Sequence, residues 1–193
     1  MDSSVINSAI QYIKTLFQNN YDGHDAKHTL RVYHNALLIS ESEPDCNLFV
    51  VSLAALLHDV DDQKLFKTEN NANARTFLSS QHIEPEQIDY ICDIINSVSF
   101  SKNHGKPLAS IDAKIVQDAD RLDAIGAIGI ARTFAYGGKC GRTLEDSVQH
   151  FHDKLLLIKS EINTKRAKEI AELRHAFMEQ FLRKLDTENT LQS

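Results

Sequence analysis

The sequence is poor in the residues that chain-reversing turns require. It contains seven glycines, three prolines and no tryptophan among 193 residues. Because hairpins usually place glycine or proline in their turns, this scarcity disfavours a many-stranded sheet and favours helices. Hydrophobic residues make up 42% of the chain and charged residues 25%, which is typical of a globular protein. The length suits one domain with a substantial core.

Three further shortages exclude other classes of protein. The cysteines Cys46, Cys92 and Cys140 are odd in number and form no Cys-x-x-Cys pair, so we expect reduced thiols that fill small spaces in the core. The N-terminus lacks a basic patch followed by an apolar segment, and the longest apolar run is too short to span a bilayer. The net charge of −6 does not suggest a protein that coats nucleic acid or a membrane surface, and any positive field must be local. We therefore expect a cytoplasmic protein that binds neither nucleic acid nor membranes.

Hydrophobic periodicity predicts helices along the whole chain. The predicted helices cover residues 4–18, 25–40, 46–58, 72–80, 86–98, 111–136, 144–162 and 164–186. Polar stretches over 61–71 and 99–110 predict loops. We expect a single all-α helical bundle over residues 1–193, in which the motifs lie at about 24–125 and the C-terminal helices, about 144–186, pack on that core.

Two of these helices have features that bear on function. The helix over 46–58 is apolar nearly all round, which predicts a position in the centre of the bundle. The helix over 25–40 begins with Asp25 as its cap. Its predicted apolar face consists of Leu30, Tyr33, Ala36, Leu37 and Leu38.

His58-Asp59 follows the apolar helix directly. Burial of an unpaired carboxylate is costly, so a nearby cation would compensate for it. His24 and His28 lie four residues apart and can project from one face of a helix, as two ligands of one metal would. Each motif also has an ordinary explanation, because a solvated helix end and a capped helix start would produce the same residues.

A third motif, Asp118-Ala119-Asp120-Arg121-Leu122-Asp123, places three acids within six residues of an otherwise apolar helix. Asp120 shares a face with Ala124 and Ala127, whose small side chains predict close approach of another helix and little water around the carboxylate. The alternative is a set of solvated charges with Arg121 in a surface ion pair.

These motifs, in this order on separate helices, resemble the HD-domain phosphohydrolase superfamily and, more closely, its YedJ/YpgQ-like bacterial branch. The ordered set covers nearly the whole chain and is far more specific than an isolated His-Asp dipeptide. The segments that carry the resemblance are His24-Asp25-x-x-His28-x-x-Arg31-Val32, Ala54-Ala55-Leu56-Leu57-His58-Asp59-Val60, residues 117–129, His150-Phe151-x-x-Lys154-Leu155 and the helix over 164–181.

The resemblance implies that His28, His58, Asp59 and Asp120 bind one divalent metal ion. Two imidazoles and two carboxylates leave room for water in a six-coordinate site, which suits Mn, Mg, Fe, Co or Ni better than a structural Zn. We favour Mn. Some relatives hold two metals, but His82 and His104 lie in no binuclear motif, so we expect one ion.

The resemblance also suggests catalytic and substrate-binding residues. Asp62 follows Asp59 by three residues, where the superfamily often places an acid that orients or deprotonates water, although Asp62 could equally be a loop carboxylate. His24 could contact the substrate or protonate a leaving group. The basic residues that could bind phosphate are Lys27, Arg31, Lys64, Lys102 and Arg121. Of these, Arg31 and Arg121 could instead orient a metal-ligand carboxylate.

The predicted function is hydrolysis of a phosphoester or phosphoanhydride in a small, nucleotide-like substrate. The branch suggests release of pyrophosphate from nucleoside triphosphates, whereas the wider superfamily also contains nucleoside 5′-monophosphatases and cyclic-nucleotide phosphodiesterases. A non-catalytic nucleotide- or metal-sensing module is the alternative of another class. The sequence leaves oligomerisation open.

Overall fold

The structure, a computed structural model, describes residues 2–18, 25–98 and 108–190. These residues form nine α-helices and one 3₁₀ helix, and they contain no strand, which confirms the predicted all-α fold. The α-helices are α1 (Asp2–Leu16), α2 (Ala26–Ser40), α3 (Leu48–Leu57), α4 (Ala72–Ser80), α5 (Pro85–Val98), α6 (Ile111–Asp123), α7 (Gly126–Lys139), α8 (Leu144–Asp153) and α9 (Lys165–Thr190), and the 3₁₀ helix is Leu155–Glu161. None of these helices is long and apolar enough to cross a membrane.

The chain divides into two compact units, residues 1–120 and residues 121–193. In the first unit α3 forms the centre, and every residue from Val50 to Leu57 is buried, as the apolar sequence predicts. Helices α1, α2 and α5 pack around α3. In the second unit α9 packs against α7 and the 3₁₀ helix.

Helix α2 begins where its cap predicts but buries a different face. The Asp25 carboxylate accepts a hydrogen bond from the His28 backbone N–H at 2.7 Å, so the first turn is capped. The buried side chains of α2 are His28, Thr29, Val32, Asn35, Ala36 and Ile39. Of the predicted apolar face, Ala36 is fully buried and the other four residues are half-buried, whereas the fully buried face also carries polar side chains that the prediction did not include.

The predicted helix over 111–136 is wrong, because the structure contains two helices there. Helix α6 ends at Asp123, and Gly126 begins α7 with φ +77°, a left-handed conformation that suits glycine. A Cβ at Gly126 would lie 2.9 Å from the Cγ of Arg174. Gly137-Gly138 does not end the second helix, which continues to Lys139. The helix predicted over 144–162 also divides, into α8 and the 3₁₀ helix.

The three cysteines are free thiols in three different environments. Cys92 on α5 is buried and fills space in the core, as predicted. Cys46 is half-buried, whereas Cys140 is exposed after the last turn of α7. The prediction of a core position is therefore wrong for Cys140.

His82 ends the α4 turn in a left-handed conformation, with φ 58°. The N–H of Ile83 donates to the Leu78 carbonyl at 3.3 Å, the bond that closes a helix with a left-handed residue at its end. A left-handed backbone strains an L-residue but not glycine, so we expect His82→Gly to raise the free energy of unfolding by about 0.5–1 kcal/mol. The change in the urea concentration at which half of the protein is unfolded measures this gain in stability.

His34→Gly is the matched control, because His34 is exposed within α2. Glycine inside a helix should lower the free energy of unfolding by about 1 kcal/mol. A loss of stability in both variants would contradict the assignment of strain to His82.

Candidate metal centre

Four side chains converge at the ends of three helices in the first unit. His28 lies in the first turn of α2, and its backbone is held by the Asp25 cap. His58 is the residue that ends α3, and Asp59 follows it. Asp120 lies near the C-terminal end of α6. The structure thus brings together the four residues that the sequence analysis assigned to one site.

The distances between donor atoms suit a bound cation. The Nε2 atoms of His28 and His58 lie 3.3 Å apart. Asp59 Oδ2 lies 3.4 Å from His28 Nε2 and 3.3 Å from His58 Nε2. Asp120 Oδ1 lies 3.5 and 3.8 Å from the same two nitrogens. Ligand bonds of about 2.1 Å place adjacent ligand atoms about 3.0–3.4 Å apart, so His28, His58 and Asp120 could hold a metal ion, with Asp59 beside both imidazoles.

The backbone of α3 fixes the His58 ring. His58 Nδ1 donates to the carbonyl of Ala55 at 2.9 Å, which orients Nε2 toward the other three side chains. With the proton on Nδ1, the neutral ring presents its Nε2 lone pair as a ligand.

The site attracts positive charge strongly. Burial lowers the pKa of His58, but the neighbouring carboxylates of Asp59 and Asp120 raise it, so that the resulting pKa is about 9. His28 and Asp59 are buried, whereas the Asp120 side chain is 28% exposed. Asp120 therefore keeps more contact with water than its small neighbours predicted.

We expect metal binding to depend on pH because the metal competes with the His58 proton. In the metal-free protein the raised pKa contributes stability below about pH 6.5, and this contribution is lost as the pH rises through about 9. The apparent affinity for Mn²⁺ should therefore rise with pH by up to about tenfold per unit and level off above about pH 9. Titration with Mn²⁺ in oxygen-free, weakly buffered solution measures the affinity and the released proton. An affinity that stays constant with pH would contradict this.

The loop after Asp59 is fixed to helix α4. Both oxygens of Asp61 accept backbone N–H groups at the start of α4, from Asn73 at 2.9 Å and Ala74 at 3.0 Å. Asn73 Nδ2 donates in turn to the Val60 carbonyl at 2.7 Å. These bonds hold the segment that carries Asp59, and the sequence prediction did not identify them. The only sign of this contact in the sequence was Asp61 itself, an acid in the loop shortly before helix α4.

Asp62, the predicted catalytic acid, caps its own loop. Its Oδ1 accepts from the Lys64 backbone N–H at 2.7 Å, and its carbonyl accepts from the N–H groups of Leu65 and Phe66. The loop predicted over 61–71 is confirmed. A catalytic role for Asp62 stays a prediction.

The predicted substrate-binding residues lie in different environments. Lys27 and Lys64 are exposed, and Arg31 is half-buried one turn after His28. In the second unit, Arg121 is buried and donates to the carbonyl of Glu161 and, at 3.0 Å, to its carboxylate. His24, Lys102 and His104 lie outside the described residues.

Comparison with known proteins places this geometry in a family. The family model of the HD domain matches residues 25–125. YpgQ of Bacillus subtilis is 41% identical over 185 residues, which cover 91% of this chain and 89% of YpgQ.

Solved structures agree over the full length. The crystal structure of Bacillus subtilis YpgQ in complex with ADP has a TM-score of 0.82 and 35% identity, and the match covers 97% of this chain and 96% of that chain. The crystal structure of an HD-superfamily hydrolase from Bacillus thuringiensis has a TM-score of 0.82 and 39% identity over 98% of this chain and 99% of that one. The chain belongs to the HD domain family, in the YpgQ-like branch of the HD-superfamily hydrolases.

Proposed function

We propose that this chain is a divalent-metal-dependent phosphohydrolase that acts on nucleotide-like phosphoesters or phosphoanhydrides. The observation that carries the proposal is the convergence of His28, His58, Asp59 and Asp120, with donor atoms 3.3–3.8 Å from the imidazole nitrogens. A divalent ion held by these four side chains would lower the pKa of a water molecule and polarise a phosphoryl oxygen.

The side chains around the ligands have separable roles in this proposal. The carboxylates of Asp59 and Asp120 would balance the two positive charges of a divalent ion. The ligands and the ion together would then carry no net negative charge that repels an anionic substrate. Asp62 would orient or deprotonate the attacking water, with its carboxylate held by the Lys64 N–H. His24 would contact the substrate or protonate the leaving group.

The basic side chains predicted from sequence would bind the phosphates. Lys27 and Lys64 are exposed and free to move toward an anion, and Arg31 lies on the same helix as His28. Lys102, which lies outside the described residues, stays in the proposed set, whereas the buried pairing of Arg121 with Glu161 favours a structural role for that side chain.

Among possible substrates we propose nucleoside triphosphates, cleaved to release pyrophosphate. Two facts support this choice, namely the YpgQ-like branch and the ADP bound in the YpgQ structure, which is a property of that protein. A nucleoside 5′-monophosphatase would release only phosphate from monophosphates, and a phosphodiesterase would open cyclic nucleotides. The product therefore distinguishes the three activities.

The experiment measures phosphate and pyrophosphate release by protein loaded separately with Mn, Mg, Co and Ni, on nucleoside mono-, di-, tri- and cyclic phosphates. We expect metal-dependent turnover in the unmodified chain and in His34→Ala, whose exposed ring lies on α2, and none in His58→Ala. Folded, metal-loaded protein without turnover on any substrate would contradict hydrolysis and favour a sensing module.

A further inference from the structure

We infer that Asn35 is a positioning residue for the metal centre, acting by fixing helix α6 so that Asp120 meets the two histidines. This inference rests on the proposed function, because it assigns a role around the same ligands. Asn35 would exert this role through the backbone of α6, to which its side chain donates.

The geometry joins the two helices that carry separate ligands. Asn35 Nδ2 donates to the carbonyl of Ala119 at 3.1 Å, and Ala119 immediately precedes Asp120. On α2, Asn35 follows His28 by seven residues, or about two helical turns, so both side chains lie on one face. One hydrogen bond thus connects the helix of His28 to the backbone beside Asp120.

Burial makes this bond directional and costly to break. Asn35 is 8% exposed and Ala119 is fully buried. A buried amide that loses its partner pays the desolvation cost of the lost bond, so the pair strongly favours one placement of α6 along α2. An apolar side chain of equal size would fill the same space without selecting that placement.

Asp120 depends on this placement more than the other ligands do. His58 is tied to its own helix by the Ala55 carbonyl, and the Asp59 segment is tied to α4 through Val60 and Asp61. Asp120 Oδ1, at 3.5 and 3.8 Å, is the ligand atom farthest from the two imidazole nitrogens. A small shift of α6 would therefore change the Asp120 contact first.

The test uses Asn35→Leu, which keeps the number of side-chain heavy atoms and removes the donor. Gln117→Met is the matched control, because Gln117 is also buried on α6 and donates to a backbone carbonyl, that of Ser97 at 2.9 Å. That bond joins α6 to α5, which carries none of the proposed ligands, so its loss keeps the Asn35 bond that sets α6 along α2, the helix of His28. Asn35→Ala serves as a second variant in case leucine impairs folding.

The readout is Mn²⁺ binding, followed by the electron paramagnetic resonance signal of free Mn²⁺ on proteins shown by circular dichroism to be folded. We expect Asn35→Leu and Asn35→Ala to raise the Kd by about 10–100-fold, the usual effect of losing an outer partner of a metal ligand. Gln117→Met should change the Kd by less than about threefold. The electron paramagnetic resonance spectrum of bound Mn²⁺ should also be broader in the Asn35 variants than in the unmodified chain.

The outcomes separate this inference from the proposed function. Equal changes of Kd in the Asn35 and Gln117 variants would overturn the positioning role while leaving the metal-dependent hydrolase standing. An unmodified chain that binds no divalent metal would overturn the proposed function, and the inference with it.

Discussion

Replacing Asp59 with asparagine should lower kcat/KM for metal-dependent hydrolysis by more than about a hundredfold, which exceeds the usual effect of losing an outer partner. Asparagine keeps the shape of Asp59 but removes the charge that faces His28 and His58 at 3.4 and 3.3 Å. The neutral amide oxygen is a weaker ligand for a hard divalent ion. Initial rates at saturating Mn²⁺ and several substrate concentrations measure the effect.

Asp89→Asn is the control for loss of one acidic charge. Asp89 is 64% exposed and accepts from Arg75 Nη1 at 2.7 Å, and exposed ion pairs contribute little, so its rate should stay within about twofold of the unmodified chain. Excess Mn²⁺ should raise the Tm of the unmodified chain and of Asp89→Asn, but not of Asp59→Asn. Turnover within tenfold of normal in Asp59→Asn would show that Asp59 is not a ligand.

The proposed ligand set was predicted through the resemblance to the HD superfamily, because the helical pattern alone left each motif with an ordinary explanation. The pattern did place the motifs in the fold. His58-Asp59 follows a helix that is apolar except at Ser52, a composition typical of a central helix, and the structure buries its residues from Val50 to Leu57. The Asp25 cap placed His28 in the first turn of α2. What periodicity could not supply was the distance between His28, His58 and Asp120, since that distance depends on packing between helices far apart in the chain.

The residues that fix the segments around the proposed ligands were harder to predict than the ligands themselves. The sequence analysis did not identify Asn35, because its partner, the Ala119 carbonyl, lies 84 residues away in the chain. Asp61 looked like a loop acid, yet it caps the following helix. A polar side chain of this kind is recognised only when the long-range partner is known.

The break between α6 and α7 was missed for a related reason. Apolar periodicity continues through Leu122 and Ile125, which are both buried, so the pattern alone favours one helix. The left-handed Gly126 interrupts the backbone, and Arg174 donates to the Leu122 carbonyl at 2.5 Å, within the second unit. That arginine comes from α9, 52 residues later, so its carbonyl bond could not be inferred locally.

Among the glycines at this break, Gly129 should tolerate substitution least. A Cβ there would lie 2.3 Å from the carbonyl oxygen of Ala124 and 2.7 Å from its carbon. Both are backbone atoms, so relief requires moving the connection between α6 and α7. We expect Gly129→Ala to lower the free energy of unfolding by about 2 kcal/mol or more, although alanine is the better helix former.

Gly138→Ala makes the same chemical change in the same helix with the opposite expected sign. A Cβ at Gly138 would have no neighbour within 4 Å, so the variant should gain about 0.5–1 kcal/mol from helix propensity alone. Urea titrations followed by circular dichroism compare the midpoints of the unfolding transitions. If Gly129→Ala proved as stable as Gly138→Ala, the start of α7 would be free to move away from Ala124. The close approach of Gly129 to that carbonyl would then be incidental to the break.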